Sequence, residues 1–84
     1  MSKLSKEYIK FRNAVTQRFI NLRVESGFSQ SEFAKIHELD RQQVNRWENF
    51  KSERGVSIYT IRKFCILLDV SISEFFNDPV FEGM

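Results

Sequence analysis

The stretch Ser29–Asn49 places the tightest constraint on the fold, because it carries the signals for two short helices separated by only a few residues. Ser29 and Glu32 have the Ser-x-x-Glu spacing of a capping box, in which each side chain accepts a hydrogen bond from the other residue's backbone N–H. A helix is therefore predicted to begin at Gln30. Its apolar face would consist of Phe33, Ala34 and Ile36.

A second helix is predicted after Asp40, since Asp40 and Gln43 repeat the capping signal. Val44 and Trp47, three residues apart, give this helix its own apolar face. The connection, residues 37–39, is too short for an antiparallel pair to turn comfortably. The two helices are therefore expected to cross near a right angle, as in a helix-turn-helix.

The residues before this pair predict one long amphipathic helix from Ser5 to Glu25, which Gly27 ends. Residues 1–14, which include the first turns of this helix, form an N-terminal helical extension. Ile9 and Phe11 on that extension are expected to cover the core of the same chain, and a second subunit is the alternative.

The charge distribution supports a polarised molecule, because residues 1–23 hold six basic residues and one acidic residue, whereas residues 69–84 hold four acidic and no basic residues. An ordinary solvated distribution of charges is the alternative interpretation.

The residues after the pair predict two further helices. Ser57 caps one, whose inward face would be Ile58, Ile61, Cys65 and Leu68. Ser71 and Glu74 form another capping box, and the last helix should stop by about Asn77, ahead of Pro79, leaving residues 77–84 as a tail. The predicted fold class is all-α: one compact domain of five helices over residues 1–84, with the helix-turn-helix at 30–49.

Composition supports a single domain without metals, cofactors or disulfides. The chain has 84 residues, 42% of them apolar and nine of them Phe, which is enough for one core. Cys65 is the single cysteine, so it has no internal disulfide partner and is read as a core residue of a protein in the reducing cytoplasm. No apolar run reaches the length of a membrane span. One His, one Cys and no glycine-rich phosphate loop leave no reacting centre, so an enzyme is not expected.

Several residues of the Ser29–Asn49 stretch also match a known family: Gln30, Ala34, Val44 and Trp47-Glu48-Asn49. With them, the chain resembles the phage-repressor or xenobiotic-response-element (Cro-type) family of helix-turn-helix DNA-binding domains from about Phe19 to Phe76. The resemblance implies a lambda-repressor-like fold with an extended first helix, in which the second helix of the pair enters the DNA major groove. It also implies an inward-facing ion pair between Arg23 and Glu48.

The sequence departs from this family in the turn between the two helices. The family usually has Gly where this chain has Glu38, because the turn needs a left-handed backbone. If Glu38 adopts that conformation, the cost is roughly 1–2 kcal/mol. His37 stands where the family tends to have an apolar residue, and Phe50 where it usually has Gly.

The second helix carries polar side chains on the side opposite Val44 and Trp47. Arg pairs bidentately with guanine and Gln or Asn with adenine, so these residue types suit the reading of base edges. The predicted base-reading residues are Arg41, Gln42, Asn45 and Arg46.

A different set would hold the DNA backbone without specifying sequence. Gln30 is matched in the family by a Gln that contacts the backbone, and the other members flank the reading residues. The predicted phosphate-binding residues are Gln30, Gln43, Asn49, Lys51 and Arg54.

The expected function is that of a sequence-specific transcriptional regulator of double-stranded DNA, a repressor acting as a homodimer on a two-fold operator. Apolar positions near the C-terminus that the core does not obviously consume form the predicted dimer surface: Ile66, Ile72, Phe76, Val80 and Phe81. The alternative for this surface is a tail that packs over its own domain. The alternative for the function is a protein-interaction module or an antitoxin-type partner of another protein. No small-molecule ligand is evident from the sequence.

Overall fold

The structure is a computed structural model that describes residues 3–52 and 55–84, with Lys3 and Leu4 described by their backbone only. Within these ranges the chain forms five α-helices and no strand. They are α1 (Lys3–Glu25), α2 (Gln30–Ile36), α3 (Arg41–Trp47), α4 (Ile58–Leu68) and α5 (Ile72–Phe76), followed by a short 3-10 helix, Pro79–Phe81. The all-α fold class predicted from the sequence is confirmed. No helix in the described part of the chain has both the length and the apolar character needed to cross a bilayer.

The helix boundaries follow from local signals. Ser29 and Ser71 each form the complete reciprocal capping box, with Glu32 and Glu74 respectively, and these boxes fix the first residues of α2 and α5. Gly27, with φ of 85°, ends the turn after α1 in a left-handed conformation that suits glycine. The reciprocal box predicted for α3 is wrong, because the Asp40 carboxylate accepts from the backbone N–H of Gln42 at 2.9 Å and forms a simple cap.

The core is a cluster of aromatic rings centred on Phe19 of α1. The Phe19 ring centroid lies 4.5 Å from that of Phe64 and 5.6 Å from those of Trp47 and Phe75, in mixed edge and stacked geometries. One ring therefore joins α1 to α3, α4 and α5. Cys65 is fully buried beside this cluster, and burial raises the pKa of its thiol, which suits a core residue and not a nucleophile.

One core prediction for α4 is wrong. Ile61 and Cys65 point inward as expected, but Ile58 is 53% exposed. Ile58 is the first residue of α4 and therefore lies at the end of the helix. The apolar spacing of the sequence continues through the first turn of α4, whereas the packed core does not extend that far.

The two ends of the chain meet through aromatic contacts. On α1, Phe11 stacks against Phe76 with ring centroids 6.4 Å apart and contacts Phe81 at 6.0 Å. Phe81 in turn contacts Phe75 at 6.2 Å. The segment after α5 is thus a folded element that packs against α1. Ile9, two residues closer to the N-terminus, is 37% exposed.

Candidate nucleic-acid interface

Helix α3 buries one side and exposes the other. Val44 is 1% exposed and Trp47 5% exposed, so these two side chains fix the rotation of the helix about its axis. The four residues expected to read bases, Arg41, Gln42, Asn45 and Arg46, are all exposed. Their common surface, called here the α3 face, is open to solvent in the described part of the chain.

The turn between α2 and α3 adopts the strained backbone expected from the sequence. Glu38 has φ of 55°, a left-handed conformation that is uncommon for a side chain of this type. Next to it, the backbone N–H of Leu39 donates to the carbonyl of Ala34 at 2.7 Å. This bond closes the end of α2 and directs the chain into α3.

Arg23 of α1 and Glu48 at the end of α3 form a bidentate ion pair. The Arg23 Nε donates to Glu48 Oε2 at 2.7 Å and Nη2 donates to Oε1 at 3.0 Å. A third nitrogen, Nη1, donates to the carbonyl of Phe28 at 2.8 Å. The side chains are only 14% and 6% exposed, so little water competes with the pair. The pair joins α1 to the C-terminal end of α3.

Gln30 extends this pair to the α3 face, which the sequence did not indicate. Its Nε2 donates to Glu48 Oε1 at 3.0 Å, and its Oε1 accepts from Asn45 Nδ2 at 3.4 Å. A continuous hydrogen-bonded path therefore runs from Arg23 through Glu48 and Gln30 to Asn45. Two of these side chains, Gln30 and Asn45, were expected to contact DNA, and both are already oriented by the protein.

Three of the other four residues expected to contact phosphates lie in the described part of the chain. Gln43 is half-buried, whereas Asn49 and Lys51 are exposed just beyond α3. The Asn49 Oδ1 accepts from the backbone N–H of Lys51 at 2.9 Å, which orders the start of the loop. Arg54 lies outside the described residues.

The residues expected to form a dimer surface do not lie in one exposed patch. Ile66 on α4 is 61% exposed. The other four are half-buried, and Ile72, Phe76 and Phe81 pack against the core of their own chain. Much of the apolar surface predicted for a partner is therefore covered by intramolecular contacts, as in the alternative of a tail that packs over its own domain.

A cleft of about 210 Å³ lies between the N-terminal half of α1 and the end of α3. Its lining includes Tyr8 and Arg12 from α1 and Arg46 and Trp47 from α3. The cleft was not predictable from the sequence, because nothing in the spacing of Tyr8 and Arg12 along α1 shows that they face α3.

These features define the molecule as a helix-turn-helix protein whose second helix is held outward. A family model described as the Cro/C1-type HTH DNA-binding domain matches residues 18–79, most of the chain. The chain belongs to this family, and it is a DNA-binding regulatory domain.

The comparison with solved structures agrees. The crystal structure of the prophage Lp1 protein 11 is similar with a TM-score of 0.63 and 27% sequence identity, over 83% of this chain and 91% of that one. No curated protein sequence matches the chain. The family resemblance drawn from the sequence is confirmed.

Proposed function

We propose that this chain is a sequence-specific transcriptional repressor that binds double-stranded DNA as a homodimer, with α3 in the major groove of each half-site. The observation that carries the proposal is the α3 face, on which four side chains able to read base edges are exposed opposite the buried Val44 and Trp47. The prophage source of the similar structure supports a role of the phage-repressor kind.

In this proposal the α3 face reads sequence. Arg41 and Arg46 suit guanine O6 and N7, and Gln42 and Asn45 suit adenine N6 and N7. Support comes from the path of hydrogen bonds that ends at Asn45, because a side chain already held in place loses less conformational entropy when it binds.

Backbone contacts have a separate proposed role. Gln30, Gln43, Asn49, Lys51 and Arg54 hold the phosphates on either side of the bases that α3 reads. Lys51 is exposed four residues after the end of α3, so its ammonium can approach a phosphate without disturbing the fold. These contacts increase affinity for every sequence alike.

Two alanine variants test this division of roles. Arg46→Ala should relax preference at one base pair, at a cost of about 1–3 kcal/mol for the preferred base. Lys51→Ala should weaken binding to all duplexes alike and reduce the slope of log affinity against log salt by about 1. Fluorescence anisotropy on a panel of single-base operator variants, at several salt concentrations, measures both effects. Identical behaviour of the two variants would refute the division.

The proposed dimer uses the C-terminal end of the domain, with Ile66 as its most exposed member. A two-fold dimer places its two recognition helices on half-sites about one helical turn apart, roughly 34 Å. Light scattering at high protein concentration, with and without operator, should give the mass of two subunits. Ile66→Asp should shift that mass toward one subunit, whereas Lys63→Asp, an exposed change on the same helix, should not. A mass of one subunit under every condition would contradict the dimer.

A further inference from the structure

Gln30 lies between a nearly buried carboxylate and the α3 face. Its Nε2 is 3.0 Å from Glu48 Oε1, and its Oε1 is 3.4 Å from Asn45 Nδ2. Glu48 also accepts two bonds from Arg23, and its side chain is only 6% exposed. Gln30 is half-buried, whereas Asn45 is exposed. One side chain therefore links the ion pair inside the protein to a residue that faces the bases in the proposed function.

The ion pair determines which end of the Gln30 amide faces inward. An ionised carboxylate only accepts hydrogen bonds, so Glu48 requires the N–H end of Gln30. With the amide reversed, the carbonyl oxygen of Gln30 would lie against Glu48 Oε1, and the carboxylate would lose a donor. A hydrogen bond to a charged group is stronger than a neutral one, so the bond to Glu48 sets the orientation. The carbonyl oxygen of Gln30 consequently points toward the α3 face.

The orientation of Gln30 in turn sets that of Asn45. A carbonyl oxygen only accepts, so Asn45 turns its NH2 group toward Gln30. An Asn amide carries two N–H donors and one carbonyl oxygen, so Asn45 retains one donor and its acceptor for a base. In the major groove, adenine presents one acceptor, N7, and one donor, N6–H2, whereas guanine presents two acceptors, N7 and O6. The groups that Asn45 retains therefore match adenine and not guanine.

We propose that Gln30 is a specificity-determining residue, which makes Asn45 prefer adenine to guanine. This role rests on the proposed function, in which Asn45 reads a base and Gln30 holds a phosphate. Gln30 acts on the base through Asn45 and is therefore a positioning residue. Without the Gln30 amide, Asn45 is free to rotate and to donate to guanine O6, so the distinction between the two purines weakens.

Nuclear magnetic relaxation of the Asn45 side-chain amide tests the orienting contact without any DNA. Gln30→Met keeps a long side chain at this position but removes the amide, and Gln43→Met is the matched control at another half-buried glutamine. The Asn45 amide should be ordered in the wild type and in Gln43→Met and should become mobile in Gln30→Met. An Asn45 amide that is equally mobile in the wild type and in Gln30→Met would overturn the proposal.

Base preference is measured at the operator position where Asn45→Ala removes the discrimination. There, Gln30→Met should reduce the ratio of affinities for adenine and guanine duplexes at least about threefold. Gln43→Met should weaken both duplexes alike and leave the ratio unchanged. In the Asn45→Ala background, Gln30→Met should change the ratio no further, because its effect passes through Asn45. A residue that only stabilised the fold or held a phosphate would lower both affinities and leave their ratio as it was.

Different results would refute the role of Gln30 and the proposed function. A wild-type protein that prefers no DNA sequence would refute the proposed function, and base selection through Asn45 would fall with it. A sequence-selective wild type whose ratio is unchanged in Gln30→Met would refute the role of Gln30 alone. A preference for guanine at the position that Asn45 reads would do the same.

Discussion

The α2–α3 pair and the α4–α5 pair share the same local structural features but are attached to α1 in different ways. Each pair contains one Ser-x-x-Glu capping box, at Ser29 and Ser71, and each has one acidic residue in the left-handed conformation between its helices, Glu38 and Asp69. Each pair is also joined to α1 by one arginine. The difference between the pairs lies in what that arginine contacts.

The two arginines divide their hydrogen bonds differently. Arg23 gives two bonds to the Glu48 carboxylate and one to a backbone carbonyl. Arg18 gives one bond, of 2.9 Å, to Asp78 and two, of 2.8 and 3.0 Å, to the carbonyls of Phe75 and Glu74. The orientation of α3 therefore depends on the Glu48 side chain, which a substitution can remove. The C-terminal end is held mainly by backbone carbonyls, which are present whatever the residue is.

The largest effect is expected at Glu48. Glu48→Ala removes both carboxylate bonds from a guanidinium that is only 14% exposed, so the free energy of unfolding should fall by about 3 kcal/mol. Urea unfolding measures the change. The double variant Arg23→Met/Glu48→Met serves as the control and should recover part of the loss, because it leaves no unpaired charge. A loss below about 1 kcal/mol for Glu48→Ala would mean that the pair does not orient α3.

A smaller effect is expected at Asp78. Asp78→Ala leaves Arg18 with its two carbonyl acceptors, so the loss should be about 1–2 kcal/mol, including the cap that Asp78 provides to the backbone N–H of Val80. Asp78→Asn keeps an oxygen for that cap and should lose less. If Asp78→Ala destabilised the protein as much as Glu48→Ala in the same urea titration, the contrast between the two arginines would fail.

Glu38 and Asp69, the left-handed residues, allow the two helix pairs to be compared in the steric cost of their backbone conformation. Glu38→Gly should raise the free energy of unfolding by up to about 1 kcal/mol, since glycine adopts φ near 55° without the steric cost of a Cβ. Asp69→Gly should gain less, because a short polar side chain tolerates this conformation better than Glu does. Thermal unfolding of the two variants checks the order, and an equal or larger gain at Asp69 would contradict it.

The smallest effect concerns the capping box of α2. The backbone N–H of Ser29, followed by its hydroxyl, lowers the pKa of Glu32 from its ordinary value of 4.5. The stability that Glu32 contributes is therefore present above the ordinary value and is lost as the pH falls through the lowered one. Glu32→Gln should remove this contribution at pH 7 and make a smaller difference at a pH below the ordinary value, as followed by thermal unfolding at the two pH values. Equal losses at both pH values would show that the charge is not involved.

The sequence predicted what depends on local spacing or on the family resemblance. The starts of α2 and α5, the left-handed turn at Glu38 and the pairing of Arg23 with Glu48 belong to this group. The interactions of Arg18 were not predictable, since two of its three acceptors are backbone carbonyls 56 and 57 residues away along the chain. Ile58 was misassigned for a related reason: periodicity gives the direction of a side chain, but only tertiary packing determines whether another element covers it.

Selection of bound duplexes from a random double-stranded DNA pool tests the central claim, that α3 holds a sequence-reading surface outward. We expect an enriched inverted repeat with half-sites one helical turn apart, and a loss of preference at defined positions of each half-site when Arg41 and Arg46 are replaced by alanine. A pool that yields no enriched sequence with the folded protein would contradict this account and favour a protein-interaction module.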